Sequence, residues 1–470
     1  NGSNYSNDAL LGSLGAAGQF TASNNLVYYK YNAVFGKVNY DWKEKYLFNG
    51  TFRRDGSSRF GPKNRFGNFG AIGLGWVFGK EDFVQDNLQF LSFGKLRASY
   101  GTTGNDQISN YLYLPLYSSV TPYLNNPSMN MGSLPNEYIK WETTKKLEFA
   151  IDLGFLNDRI LFTGNFFRNR SSDQITDLVL STQTGYNSYK ENLPALIQNT
   201  GLELELNTTN VTNENFTWKT SANLTFYKNK LVEFPGIENT FYASSFLVGE
   251  PLNMIRLYHY QGVDPATGRA LYEDRNGDGA ITGDDRYVAD LGTPFYGGFN
   301  NTFSYKGFEL GVFFQFNHRF GLTKILNSRP GALVNQNDYW LDRWTPTNTN
   351  TTIPGAILPA TQGASADGAA LSNSYNLYTN SDAVYGDASY IKLRSVNLSY
   401  NLPKSWTSKL KMSNCNVFMQ GQNLFTWAKN KYVLDTETTV QGGPPGLGTG
   451  TIAQVLPPLR TIVFGFNCQF

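Results

Sequence analysis

Asp274, Asn276, Asp278 and Asp285, with the carbonyl of Ala280, stand at positions 1, 3, 5, 12 and 7 of a loop whose sixth position is Gly279. Oxygen ligands at that spacing wrap a hard cation, calcium above all, and glycine at the sixth position permits the sharp turn. The twelfth position ordinarily carries a bidentate Glu. Asp285 is shorter and would bind more weakly. No helical pattern flanks the segment, so it would be an isolated calcium loop. The alternative is an Asx-rich turn that satisfies its own backbone.

Other chemistry-bearing residues are sparse. His259 and His318 are far apart, with no second histidine or cysteine at ligand spacing, and read as ordinary loop or strand-end residues. No phosphate loop, nucleophile elbow or CxxC pair occurs, so no catalytic constellation is visible and an enzyme is not expected. Tyr242, Phe246, Tyr258, Tyr260, Tyr339 and Trp340 lie in long stretches rich in Gly, Asn, Ser and Asp. They could stack on sugar rings, or pack loop against loop and against a lid. Arg53, Arg54 and Arg59 surround a Gly/Ser segment. An anionic substrate would suit them, but a solvated loop with internal ion pairs is the favoured reading.

The elements that must position these residues are strands. Ile462, Phe464, Phe466, Cys468 and Phe470 alternate with Thr461, Val463, Gly465, Asn467 and Gln469. Period two means strand, with successive side chains on opposite faces. Leu147, Phe149, Ile151, Leu153 and Phe155 alternate with Lys146, Glu148, Ala150, Asp152 and Gly154, and Leu202, Leu204 and Leu206 with Glu203, Glu205 and Asn207. One face is oily and the other polar or small. A soluble half-buried sheet fits that pattern, and so does a membrane barrel with lipid outside and water or a plug inside.

Composition narrows the choice. The 470 residues carry a net charge of +2, which gives no case for nucleic acid. Aromatics make up 15 % of the chain, with 29 Tyr, 34 Phe and 8 Trp, as suits interfacial girdles or sugar-stacking surfaces. Mean hydropathy is −0.37 and no apolar run approaches the length of a membrane helix, which excludes a helical membrane protein but not a barrel. The start at Asn1 has no signal-peptide pattern and reads as the middle of a longer chain.

The connections alternate. Short turns fall near Trp42–Tyr46, Phe155–Arg159, Asn207–Asn215, Tyr305–Phe308 and Leu402–Met412; long segments fall near 55–65, 102–140, 169–198, 228–297, 319–387 and 426–459. Short periplasmic turns and long extracellular loops characterise outer-membrane barrels. Trp42, Tyr46, Trp76, Phe78 and Trp218 sit at short-turn ends and read as the periplasmic girdle. Cys415 and Cys468 fall near the start of the penultimate strand and the end of the last, on the lipid-facing parity. Two small apolar residues is the favoured reading. A cross-strand disulfide is the alternative in an oxidising envelope. The pattern yields about thirteen strands, part of a barrel of about 22 strands if the whole is a plugged transporter. The fold class is therefore all-β, an antiparallel transmembrane β-barrel occupying residues 1–470, partial, with short periplasmic turns and long extracellular loops.

An ordered series of motifs supports this. Arg53-Arg54-Asp55-Gly56-Ser57-Ser58-Arg59-Phe60-Gly61 is followed by Leu96-Arg97-Ala98-Ser99-Tyr100-Gly101 and by the turn Phe155-Leu156-Asn157-Asp158-Arg159. Asp274-Arg275-Asn276-Gly277-Asp278-Gly279 leads to Leu291-Gly292-Thr293-Pro294. Ala388-Ser389-Tyr390-Ile391-Lys392-Leu393-Arg394 and Gly421-Gln422-Asn423-Leu424-Phe425 precede the last strand. Together these resemble the C-terminal barrel region of SusC/RagA-type TonB-dependent transporters. The resemblance implies an outer-membrane importer of oligosaccharides or peptides, with a SusD-like surface lipoprotein as lid. It implies a barrel of about 22 strands whose N-terminal plug is absent from this sequence, TonB coupling through an N-terminal region that has no counterpart here, and handling by the barrel-assembly machinery, whose C-terminal signal would be Phe464, Phe466 and Phe470. A non-transporting binding or adhesion barrel, and a soluble all-β carbohydrate-binding protein, are the alternatives.

Overall fold

The computed structural model describes residues 2–20, 26–123, 126–323, 335–336, 338–356, 366–430 and 458–470. Thirteen strands form one antiparallel sheet in which every strand pairs with its sequence neighbours. They are β1 Tyr31–Trp42, β2 Tyr46–Ser57, β3 Phe66–Trp76, β4 Leu91–Asn105 and β5 Glu142–Phe155. Next come β6 Ile160–Ser172, β7 Leu196–Thr212, β8 Phe216–Glu233 and β9 Phe295–Tyr305. The last are β10 Phe308–His318, β11 Tyr390–Asn401, β12 Asn414–Ala428 and β13 Thr461–Gln469. Among the described residues, β1 and β13 each have one partner in this sheet.

The register turns alternation within strands into faces across the sheet. Tyr40, Phe48, Leu74, Ala98, Phe149, Phe166, Leu202, Phe226 and Phe295 stand opposite one another in a single row from β1 to β9. Tyr305, Phe308, Tyr400, Val417 and Phe466 continue such a row from β9 to β13. These side chains are open: Tyr40, Leu74, Phe149 and Phe466 are 60 %, 57 %, 51 % and 74 % exposed. Each such ring or branched chain removed from water is worth about 1.5–3 kcal/mol. A contiguous apolar face of this extent marks a surface that meets lipid or protein rather than water. No described helix is long and apolar enough to cross a membrane.

The row one residue over is polar. Asn39, Asn49, Gly73, Ser99, Glu148, Phe167, Gly201 and Tyr227 stand opposite one another. Phe167 and Phe418 on this face lie over glycines of the next strand. A Cβ on Gly201 or on Gly465 would come within 2.5 Å of the Phe167 or Phe418 ring.

Tight turns join the strands at one end. Lys43 and Glu44 (φ 54° and 52°), and Lys306 and Gly307 (φ 45° and 89°), adopt the paired left-handed conformation that matches hairpin twist. Leu156, Asn157 and Asp158 are left-handed in succession, at about 1–2 kcal/mol per residue. The preceding connection offsets this: Leu156 N donates to the Phe90 carbonyl at 3.0 Å, and Asp158 N to Ser92 Oγ at 2.9 Å. The turn after β7 occupies 213–215 only, because Asn207–Thr212 continues the ladder.

Two features of this end lie outside the expectation of uniformly short turns. Residues 77–90 form a longer connection with a helix at Asp82–Asn87, and Leu402–Ser413 contains a short helix at Lys404–Thr407. The opposite end carries the long connections 58–65, 106–141, 173–195, 234–294, 319–389 and 429–460. Strands reach into several segments read as loop. β8 continues through Lys228, Asn229 and Lys230, since backbone pairing does not need apolar side chains. The segment expected near 426–459 lies mostly outside the described residues.

Candidate functional site

A groove of about 480 Å³ from β1 to β6 takes in Asn49, Lys95, Arg97, Ser99, Glu148 and Asn165 of the polar face, with Tyr40, Phe48, Leu74 and Ala98 of the apolar row at its edge. Its arginine is fixed in an ion pair. Arg97 donates from Nε and Nη2 to the two oxygens of Asp152 at 2.8 and 3.0 Å, and Thr163 Oγ1 donates to Asp152 Oδ1 at 3.1 Å. A bidentate fork of this kind fixes both side chains in one geometry. Asn165 Nδ2 donates to Glu203 Oε2 at 3.0 Å on the next pair of strands. This wall of amides, hydroxyls and held carboxylates can exchange hydrogen bonds with a polar solute. Charged residues on the polar side of single strands were visible in the sequence, but the register that joins Arg97 to Asp152 was not.

At the long-connection end a second hollow, about 270 Å³, is lined by residues including Tyr31, Arg53, Asp55, Phe69, Asp106 and Trp141. Arg53 binds Asp55 through Nε and Nη2 at 2.7 and 2.8 Å, and Nη2 also reaches Tyr31 Oη at 3.0 Å. Arg59 donates to the Asp106 carbonyl at 2.8 Å and lies over the Tyr29 ring. Arg54 donates to Asn68 at 3.2 Å. Arg53 and Arg59 are thus committed to internal partners, as the ion-pair reading expects.

The loop aromatics fall into two cores. Tyr258, Tyr339 and Trp340 are buried with Tyr272, Tyr375 and Tyr378, and Tyr260 packs against them edge-on to Tyr378. Tyr242 is buried with Leu231 and Phe234, and Phe246 packs on it with ring centroids 5.9 Å apart. Tyr242 also donates to the Asp177 carbonyl at 2.6 Å. These rings hold loops together. Tyr260 and Phe246 are only partly buried.

Asp382 joins the two longest connections. One of its oxygens faces His259 Nδ1 at 2.6 Å, and the other accepts from Tyr260 N at 2.7 Å. The carboxylate raises the His259 pKa above its usual value. Tyr287 Oη donates to Asp382 at 3.2 Å, and burial, then the Asp382 charge, pushes its phenol up to about 12. His318 faces Ser389 Oγ at 2.8 Å and stacks on Phe295.

In the Asp-rich loop, Asp274 accepts from Gly277 N and Gly279 N at 2.7 and 2.8 Å, and Asp278 from Ala280 N at 2.8 Å. Asn276 Oδ1 accepts from Asp278 N at 3.0 Å. Asp285 is fully buried and accepts from Thr282 N, Arg275 N and Asn276 N. Those N–H groups, Thr282 first, hold its carboxyl below the usual range. Gly279 takes the left-handed conformation, φ 85°, required at the sixth position. Among the described residues no group of three or more His, Cys, Asp or Glu side chains converges on one point.

At the short-turn end, Trp42 packs on Tyr46, Trp76 on Phe78 and Trp218 on Phe303. Glu81 ties this aromatic row to the helix at Asp82–Asn87. It accepts from Tyr46 Oη at 2.8 Å, Trp76 Nε1 at 3.0 Å and Lys45 Nζ at 3.0 Å. Those bonds, Trp76 first, hold its carboxyl down at about 2. Phe464, Phe466 and Phe470 are 74 %, 74 % and 84 % exposed. Cys415 and Cys468 are joined by a disulfide, against the favoured reading of two free thiols. They stand directly opposite with Cα atoms 4.1 Å apart, so the cross-strand disulfide given as the alternative is the one present.

Residues 1–325 match the family described as TonB dependent receptor-like, beta-barrel. The chain is 30 % identical to TonB-dependent receptor P3 of Formosa agariphila, over 93 % of this chain and 45 % of that protein. It is 28 % identical to the TonB-dependent receptor SusC of Bacteroides thetaiotaomicron, over 96 % of this chain and 44 % of that protein. The chain thus spans about half the length of the curated relatives it matches. The structure of the RagAB peptide transporter superposes with a TM-score of 0.77 at 23 % identity, over 92 % of this chain and 48 % of that chain, a likeness of fold. The SusC/RagA resemblance read from the motifs is borne out, and the chain belongs to the TonB-dependent receptor-like β-barrel family.

Proposed function

We propose that this chain is the C-terminal part of the barrel of an outer-membrane, TonB-dependent nutrient importer that takes up oligosaccharides or peptides beneath a SusD-like lipoprotein lid. The observation that carries the reading is the two-faced meander. Its aromatic rows face lipid, and its Asn, Glu, Arg and Lys ladders face the passage. The short-turn end is periplasmic and the long connections are extracellular. TonB acts through a part of the protein outside this sequence. Phe464, Phe466 and Phe470 present the strand signal that the barrel-assembly machinery reads.

In this reading the wall around Arg97, Asp152 and Asn165 lets a polar solute slide, because Arg97 and Asp152 are already paired with each other and each hydroxyl or amide offers exchangeable bonds. Tyr242, Tyr258, Tyr339 and Trp340 act on the solute through the shape of the loops they hold; stacking falls to rings with an open face, Phe246 and Tyr260 among them. The Asp274–Asp285 loop takes structural calcium through Asp274, Asn276, Asp278, the Ala280 carbonyl and Asp285. Its support is the ligand spacing and the φ 85° of Gly279. Calcium there would stiffen the loop core.

The test uses the whole gene product in a TonB-proficient host and its TonB-deficient counterpart. Growth on one oligomeric nutrient that needs both this protein and TonB supports import. Ligand binding to cells with no TonB-dependent accumulation overturns import in favour of a binding barrel.

A further inference from the structure

We propose that Cys415–Cys468 is an oxidative modification installed before membrane insertion, and that it sets the register of the terminal strand. The timing rests on the outer-membrane reading above; the register argument does not.

A tight turn fixes pairing register, as the turns at Lys43–Lys45 and Lys306–Gly307 do for β1 with β2 and β9 with β10. β13 has none. It is joined to β12 only through 429–460, and it offers nine residues to the pairing. A slip of one residue would carry Phe464 and Phe466 to the polar face and Asn467 to the apolar one. The disulfide supplies what the missing turn does not. It joins residues 53 apart in sequence at the first rungs of the ladder, beside the Asn414–Gln469 pair. The 4.1 Å Cα separation is the narrow spacing of a non-hydrogen-bonded pair, so the bridge is compatible with the native register and not with a one-residue slip.

Geometry also orders the events. Both sulfurs lie on the face that carries Val417, Phe466 and Phe464, and Cys415 is 5 % exposed. Once that face meets lipid, an enzyme has no approach. Oxidation therefore falls on the unassembled chain in the envelope. A dithiol oxidase offers its own disulfide, and one cysteine thiolate attacks it to form a mixed disulfide. The second thiolate then displaces the enzyme thiol. Two thiol hydrogens and two electrons pass to the oxidase, which leaves as a dithiol, and the S–S bond remains in the substrate.

The experiment follows the full-length protein in cells by pulse labelling, acid quenching and alkylation with a mass-tagged maleimide. Each time point is split between a thiol assay and an unheated gel, where folded barrel migrates faster. The expected result is a tag-resistant, oxidised species in the slow-migrating unfolded population, preceding folded barrel. Cys415→Ala/Cys468→Ala slows appearance of the folded band at least threefold, and adding Val417→Cys/Phe466→Cys, the next pair of the same register, restores it. Free thiols in the folded band, oxidation that follows folding, or an alanine double variant that folds at the normal rate would each overturn the proposal. If the rescue pair oxidises without restoring the rate, the register role falls. A wild-type protein with no heat-modifiable band would overturn the outer-membrane reading and the timing with it, separately from the thiol assay.

Discussion

Arg394 Nη1 donates to Asn423 Oδ1 at 3.1 Å across two facing irregularities in the ladder, one in β11 and one in β12. The same guanidinium reaches Gln315 Oε1 on β10, so three strands meet on one arginine. A bulge adds an unpaired residue and re-aims a side chain. Here the added residues are Arg394 and the Asn423–Leu424 step, and Asn423 is left-handed at φ 53°. Two motifs of the SusC/RagA resemblance, one ending in Arg394 and one containing Asn423, are thus two halves of one joint.

Replacing Asn423 with Val places a β-branched residue in the left-handed region and removes the acceptor for Arg394. We expect a loss of about 2–3 kcal/mol. Asn423→Gly keeps the backbone and should cost less than half of that. Equilibrium unfolding in detergent checks both; equal losses would show that the backbone conformation is irrelevant.

Glu81 should make the short-turn end sensitive to acid. Its carboxyl is held at about 2, below the ordinary value of about 4.3. Its contribution is therefore complete above the ordinary value and is lost as pH falls toward 2. The Trp76 environment, followed by fluorescence against pH, should change over that window. Glu81→Gln should abolish the acid transition, and a persistent transition in that variant would assign it to another group.

The His259–Asp382 clasp runs the other way. The raised His259 value means that its contribution is full below the ordinary value of about 6.5 and is lost as pH rises through the folded value. Glu273 strengthens this charge and Arg275 opposes it. Limited proteolysis of the 234–294 connection should accelerate on the alkaline side in the native protein. Asp382→Asn should remove that dependence.

Tyr378 is fully buried at the centre of the larger loop core. Tyr378→Ala leaves a cavity at a cost of about 3–5 kcal/mol by analogy with other large aromatic deletions. The loss should be local. Proteolysis should open the 234–294 and 319–389 connections while the heat-modifiable sheet survives; loss of both together would mean that loops and sheet unfold as one unit.

Asp278→Ala removes one proposed calcium oxygen without touching buried Asp285. If the loop takes calcium, the metal should raise the unfolding temperature of the native protein by several degrees and that of the variant much less. Identical melting of the native protein with and without calcium would sink the site.

Much of the sheet was legible because its faces have opposite chemistry. The alternation at Leu147–Phe155 identifies β5 and assigns Glu148 and Phe149 to opposite sides. The polar extension of β8 past Tyr227 was not legible, since Lys228–Lys230 has the composition of a loop. Nor was the helix at Asp82–Asn87, whose one buried residue, Val84, is too little to mark a periodic stripe. Pairs that depend on register, Arg97–Asp152 and Arg394–Asn423, need the ladder before they can be seen, whereas the Cys415–Cys468 bridge already stood as the alternative reading. The loop aromatics were found as a set, while burial of Tyr339 and Trp340 depends on contacts between segments far apart in sequence.

The central claim is that one face of the sheet meets lipid and the other meets water. A nitroxide scan along β5, from Thr144 to Leu153 in reconstituted full-length protein, tests it residue by residue. The account predicts a period of two: labels at 147, 149, 151 and 153 relax with oxygen dissolved in lipid, and labels at 146, 148, 150 and 152 with a water-soluble nickel chelate. Chelate access to both sets would contradict it.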